Sequence, residues 1–163
     1  MSDQPVVQYL CFNLGVDRYA VEILRVREIR GWEPARVIPD MPQHMLGVID
    51  FREMMVPVFD LRLRFNVQPV VYEPTTVIIV FASAMKNEPL LAVVVDGVSD
   101  VLDVEQAMRC EVPDMGHHID TRFMDGMVKI DGEVVVLLNT EYFLNPDELM
   151  RLEMVVEAEM GEG

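Results

Sequence analysis

Asp96 closes the apolar run Leu90 to Val95 and is followed at once by Gly97. A carboxylate at the end of a buried strand is where a receiver domain carries its phosphoacceptor, so Asp96 is a candidate for acyl phosphate chemistry. That chemistry needs helices alternating with parallel strands around the site. The segments flanking this run read instead as strand and short loop, and Asp-Gly is also an ordinary strand-ending turn. His117 and His118, with Asp114 and Asp120 nearby, are the candidate metal ligands. Adjacent side chains on extended backbone point to opposite sides, and the loop lacks a spaced, convergent donor set, so no metal is expected. Serine occurs at Ser2, Ser83 and Ser99, and none has a histidine nearby in sequence. The chain has no Gly-rich phosphate loop before a helix, no G-x-S-x-G elbow, no H-E-x-x-H helix and no C-x-x-C pair. The expectation is a protein that is not an enzyme and holds no cofactor.

The elements that would position any site are strands. Tyr9 to Leu14, Tyr19 to Ile23, Met54 to Phe59, Thr76 to Ala82, Leu90 to Val95 and Glu133 to Leu138 are rich in Val, Ile and aromatics and are punctuated by Gly, Asp, Asn or Pro. One helix is expected, over 145–158. Asn145 would cap it, Pro146 would open it, and Leu149, Leu152 and Val156 would give it an apolar stripe. With 163 residues and 51% hydrophobic content, the chain can bury one core or two small lobes sharing one.

Two gapless internal matches organise these strands. Gly47 to Asp60 aligns on Gly126 to Asn139, each a strand, a turn and a strand, and Tyr19 to Ile29 aligns on Leu91 to Val101. The matches run in the same order, which predicts two copies of one β unit. The expected lobes cover about 15–70 and about 75–140 of a single domain spanning 1–163, with an N-terminal strand and the C-terminal helix completing them. Leu90 to Val95 is apolar at every position instead of alternating, so this strand should be covered on both faces.

Charge and composition narrow the partners. A net charge of −15 repels phosphate backbones and anionic lipid, so nucleic acid is not an expected partner. No apolar run approaches the ~20 residues that span a bilayer. The segment Met1 to Val7 lacks the basic and apolar stretches of a secretory signal, and the expected location is cytoplasmic. Cys11 and Cys110 have no metal-ligand spacing and read as buried thiols. Arg52 stands beside the turn of the first hairpin in a chain poor in basic residues, where a guanidinium fork can pair locally or grip a partner. Met41, Met45, Met54 and Met55 cluster around that hairpin, as core filler or as adaptable contact surface. Val26 and Ile29, set among Arg25, Arg27 and Glu28, fit a half-buried strand or a groove wall equally well.

With these residues assembled, the chain from about Gln8 to Leu152 resembles the chemotaxis coupling proteins of the CheW family. The resemblance is carried by Tyr19 to Gly31, by Gly47 to Arg64 with Val56-Pro57-Val58-Phe59-Asp60-Leu61-Arg62 inside it, and by Val93 to Leu102. It implies a mainly β fold of two small five-stranded SH3-like barrels, packed together and followed by a C-terminal helix. It also implies a non-enzymatic adaptor that joins the regulatory domain of a CheA-type histidine kinase to the cytoplasmic tips of methyl-accepting chemoreceptors, recruited to membrane-associated arrays. Onto the receptor groove it maps Val26, Ile29, Arg52, Val77 and Val98, and onto the kinase-facing surface Glu28 and Gly47. One departure stands out. Family members usually carry Asn and Gly around the Leu-Arg pair of the hairpin, and this chain has Asp50-Phe51-Arg52-Glu53. Without Gly the turn is expected to change type or carry strain, and the added acids raise a specialised or pilus-type pathway as an alternative.

Overall fold

The computed structural model describes residues 6–37, 39, 45–65, 67, 70–82, 90–105, 109–110 and 124–140. They form β1 (Val6–Leu14), β2 (Asp17–Glu22), a 3₁₀ turn (Ile23–Arg25), β3 (Val26–Gly31), β4 (Met45–Phe51), β5 (Met54–Asp60) and one helical turn, α1 (Leu61–Arg64). Then follow β6 (Val77–Ala82), β7 (Leu90–Val95), β8 (Gly97–Glu105), β9 (Arg109–Cys110), β10 (Met124–Ile130) and β11 (Glu133–Leu138). All six strands expected from the sequence are present. The expected helix over 145–158 lies outside the described residues, as do Asp114, His117, His118 and Asp120.

The strands make two sheets, of order β3-β6-β7-β5-β4 and β8-β1-β2-β11-β10-β9. The second therefore has six strands where five were expected, because the two-residue β9 adds to β10. Register establishes the duplication residue by residue. Val58 of β5 pairs in parallel with Ala92 of β7, and the residues aligned with them, Leu137 of β11 and Ala20 of β2, pair in parallel too. Ile29 pairs with Ile79 across β3 and β6, while Val101, aligned with Ile29, pairs with Leu10 across β8 and β1. Both hairpins shift register at the same place, between Met45 and Gly47 and between Met124 and Gly126.

The copies are interwoven. The first copy runs β1 to β5, yet its β1 and β2 lie in the sheet of β8, β10 and β11, while β6 and β7 of the second copy lie with β3, β4 and β5. The lobe boundaries expected at about 15–70 and 75–140 therefore do not coincide with the sheets. One sheet is drawn from 26–95 and the other from 6–22 together with 97–138. The physical reason is the parallel pairing of β5 with β7 and of β2 with β11. Parallel neighbours need a crossover and cannot be adjacent arms of one hairpin.

Each sheet buries both faces. Val56, Val58, Ile78, Val80, Ala92 and Val94 fill the interior of the first, and Tyr9, Cys11, Ala20, Val128, Val135 and Leu137 that of the second. The opposite faces meet in a third and larger cluster that includes Leu10, Phe12, Leu14 and Tyr19 from one sheet and Ile79, Phe81, Leu91, Val93 and Val95 from the other. β7 divides its side chains by parity between its own interior and this seam. That explains why it is apolar throughout.

Candidate docking surface

Side chains opposite each other in a β ladder share a face. Val26 pairs with Phe81, Ile29 with Ile79, Val77 with Val95, and Val98 with Phe12. All four partners belong to the seam cluster, so all four apolar residues expected to line a groove lie on seam-facing sheet faces. Val26, Val77 and Val98 are half-buried against that cluster. Ile29 stays 45% exposed, and its duplicate Val101 is 51% exposed on the matching edge strand of the other sheet. Sequence reasoning did not single out Val101, although the alignment with Ile29 pointed to it.

Arg52 lies outside the ladders that carry these four, at the tip of the β4–β5 hairpin. Arg52 and Glu53 both take left-handed backbone, with φ of 49° and 67°, although neither is a glycine. In the second hairpin the same two positions are Asp131 and Gly132, at 51° and 84°. A non-glycine residue in this region costs about 1–2 kcal/mol, so the first tip, with two such residues against one, is the more strained. The Arg52 guanidinium lies 5.0 Å from the Phe51 ring centroid and faces solvent.

The hairpin approaches β3 because the chain beyond β3 turns back onto β4. Arg36 N–H donates to the Val48 carbonyl at 2.8 Å, and Val48 N–H donates to that of Arg36 at 2.9 Å. Gly47 makes this possible. Its φ is 153°, and a Cβ there would stand 2.2 Å from the Arg36 carbonyl oxygen. Nearby, Arg30 donates to the carboxylate of Glu28, to Glu33 at 3.0 Å and to the Asp50 carbonyl at 3.2 Å. Its pKa is raised, first by the hydrogen bond to Glu28. Glu28 is thus held within β3 through Arg30 and is linked by it to the hairpin that carries Arg52. An open depression of about 230 Å³ between these parts is lined by Glu33, Arg36, Ile49, Asp50 and Met55, among others, but by none of Val26, Ile29, Val77 or Val98.

Asp96 is occupied structurally. Its Oδ1 accepts from Arg62 Nη1 at 2.8 Å and its Oδ2 from the Gly15 N–H at 2.6 Å. It stands at the junction of β7 and β8, between largely antiparallel sheets, and a receiver-type reading of it is set aside. Arg62, only 1% exposed, donates through Nε and Nη2 to both oxygens of buried Asp60 at 3.0 and 2.9 Å, and through Nη1 to the Val71 carbonyl at 2.7 Å. Burial works against this charge, but the bonds and charges of Asp60, then Asp96, outweigh it and hold the guanidinium protonated. Tyr72 donates to Asp60 at 2.7 Å, and its pKa is pushed up to about 12 by burial and by that bond. Asp60 and Arg62 are in the motif that carries the resemblance, but no spacing rule connects them to Asp96 or Tyr72. Cys11 is buried as expected, whereas Cys110 is exposed, because β9 is a two-residue strand at the sheet edge.

A model of the CheW-like domain matches residues 8–148. The chain belongs to the CheW family. It is 31% identical over 93% of its length to the chemotaxis protein CheW of Klebsiella aerogenes, covering 89% of that protein. It is 30% identical over 86% of its length to a probable chemotaxis protein CheW of Rhizobium etli, again covering 89% of that protein. The crystal structure of the scaffolding protein TtCheW from Thermoanaerobacter tengcongensis superposes with a TM-score of 0.78 at 23% identity, over 88% of this chain and 96% of that one. The CheW fold is therefore shared: mainly β, with two apposed sheets. Among the described residues, no helix is long and apolar enough to cross a membrane.

Proposed function

We propose that this CheW-family chain is a non-enzymatic adaptor that couples methyl-accepting chemoreceptors to a CheA-type histidine kinase in a chemosensory array. The observation that carries the reading is the common seam-facing side of Val26, Ile29, Val77 and Val98, three of them on edge strands. An apolar strip at such a seam suits the apolar face of a receptor helix. Arg52, at the exposed hairpin tip, adds a charged contact to that receptor surface. Glu28 and Gly47 belong to the kinase-facing side in this reading, with Gly47 acting through the backbone approach it permits at Arg36. The adaptor works in the cytoplasm and is recruited to the array by its partners. Coupling is thermodynamic: a receptor rearrangement changes the affinity of the adaptor for kinase states, without chemistry. The acids flanking Arg52, which the family pattern lacks, favour as a second reading a specialised or pilus-type pathway whose partner presents basic groups to this tip.

Calorimetric titration with the regulatory domain of the cognate kinase and with a receptor cytoplasmic fragment tests the proposal. Binding is expected to both. Val26→Lys and Arg52→Glu should weaken the receptor arm at least about tenfold, the effect of ~1.4 kcal/mol, with an unchanged circular dichroism spectrum. Wild-type protein that binds neither partner would overturn the adaptor reading, and unchanged receptor affinity in both variants would overturn the assigned surface.

A further inference from the structure

We infer that the cluster of Asp60, Arg62, Tyr72 and Asp96, built on the buried Asp60–Arg62 pair, is a clamp that sets the angle between the two lobes. The seam between the sheets is apolar, and apolar contact is non-directional: it holds two faces together without choosing one orientation. Hydrogen-bonded charges do choose, because an unpaired one is costly. Burying an ion pair costs several kcal/mol per ion, and well-packed apolar residues would serve stability as well or better, so orientation is what this cluster adds.

Its connections cross the seam. Asp60 and Arg62 close the β5 end of the first sheet. Asp96 sits where the chain passes from β7 in that sheet to β8 in the other. From there its N–H donates to the Asn13 carbonyl of β1 at 3.0 Å, and its carboxylate takes the Gly15 N–H in the β1–β2 turn. One carboxylate is thus shared between Arg62 of the first lobe and a turn of the second. A second contact holds the same turn. A Cβ on Gly15 would come within 3.0 Å of Val67, whose own N–H donates to the Arg62 carbonyl at 2.8 Å. On its far side the clamp is capped by aromatic rings. The Arg62 guanidinium lies 5.0 Å from the Tyr72 centroid, and Trp32, just beyond β3, stacks on Tyr72 at 4.3 Å with an interplanar angle of 18°. The chain of contacts runs from the end of β3 in one lobe to Gly15 in the other. Val77 pairs with Val95 directly before Asp96, and Val98 follows two residues after it, so the clamp sits between two residues of the proposed groove. Only that corollary, a clamp that sets groove width, rests on the docking reading.

The clamp is tested on the whole protein alone. Spin labels at Val37→Cys and Val134→Cys, exposed positions on different lobes, with Cys110→Ser to remove the exposed thiol, report the interlobe distance by pulsed electron resonance. The parent should give one narrow distribution. Asp96→Asn, which keeps the shape, and Arg62→Met should shift or broaden it by more than the parent width. Exchange of the Gly15 amide should accelerate about 10- to 100-fold, the loss expected for a hydrogen bond to a charged group. Trp32 is the only tryptophan of the chain, and its emission should change in Asp96→Asn although Tyr72 and Arg62 stand between the two residues. Should Arg62→Met fail to fold, Asp96→Asn and Tyr72→Phe, which alter the less buried members, carry the test. A purely structural role predicts a lower Tm with an unmoved distance distribution. That result in folded Asp96→Asn would overturn the proposal.

Discussion

Replacing Gly47 and Gly126 separately by alanine tests the account of the first lobe with an internal control. The two glycines are duplicates, each at the register shift of its hairpin, with nearly equal φ of 153° and 150°. The backbone cost of alanine at such a φ, about 1–3 kcal/mol, is therefore common to both and cancels in their difference. The surroundings differ. The new Cβ at Gly126 has its nearest neighbour at 3.7 Å, in the flexible side chain of Arg109, whereas at Gly47 it meets the backbone carbonyl of Arg36 at 2.2 Å. Residue 36 must retreat and give up its two hydrogen bonds with Val48, worth about 0.5–1.5 kcal/mol each in net terms. Gly47→Ala should thus be less stable than Gly126→Ala by about 2 kcal/mol, roughly 4–8 °C in Tm for a chain of this size. Urea unfolding read by circular dichroism gives the difference, and a common m-value would show that the unfolded states match. Equal losses at the two sites would refute the claim that the approach of Arg36, and not the conformation of the glycine, makes Gly47 special. The experiment also separates roles at Gly47, since a loss of kinase binding that tracks the loss of stability would be structural in origin.

Other expectations are shorter to state. Glu53→Gly should raise stability by about 0.5–1 kcal/mol, because relief of left-handed strain exceeds the chain entropy glycine adds, and differential scanning calorimetry would register it; Asp131→Gly tests the same logic in the second hairpin. The Tyr72 phenol, whose ordinary pKa of 10.0 is pushed up to about 12, is held protonated by the fold. Its contribution is complete below pH 10 and is lost as pH rises through about 12, so Tyr72→Phe should flatten the alkaline decline in stability across that window. Leu91→Ala, in the seam, should cost about 2–5 kcal/mol, while Val16→Ala, at a position 99% exposed, should stay within about 0.5 kcal/mol; comparable values from chemical unfolding would contradict the assignment of the main core to the seam.

Local pattern alone determined a good deal of this protein. Runs of β-branched residues between turn formers marked six strands at nearly their observed positions, since the propensity of an extended segment is written in its own side chains. The unbroken apolarity of Leu90 to Val95 announced a strand covered twice, and the gapless internal matches foretold a duplication that the ladder registers bear out pair by pair. Family motifs selected Val26, Ile29, Val77 and Val98, which the sheets bring to one seam. What only the tertiary structure decided is which strand meets which. A period of two tells a strand which face is buried but not whose backbone it will join, so linear order suggested lobes of consecutive residues where the sheets exchange strands between copies. The same limit hid the clamp. Arg62 finds Asp60 two residues away, a contact that local sequence can hint at, but it finds Asp96 across 34 positions, and Asp96 finds Gly15 across 81. Only the path of the backbone through space creates such meetings. The Arg52–Glu53 tip shows the converse. Local preference argued for glycine there, and cross-strand pairing along β4 and β5 imposed the turn on residues that would not adopt it alone.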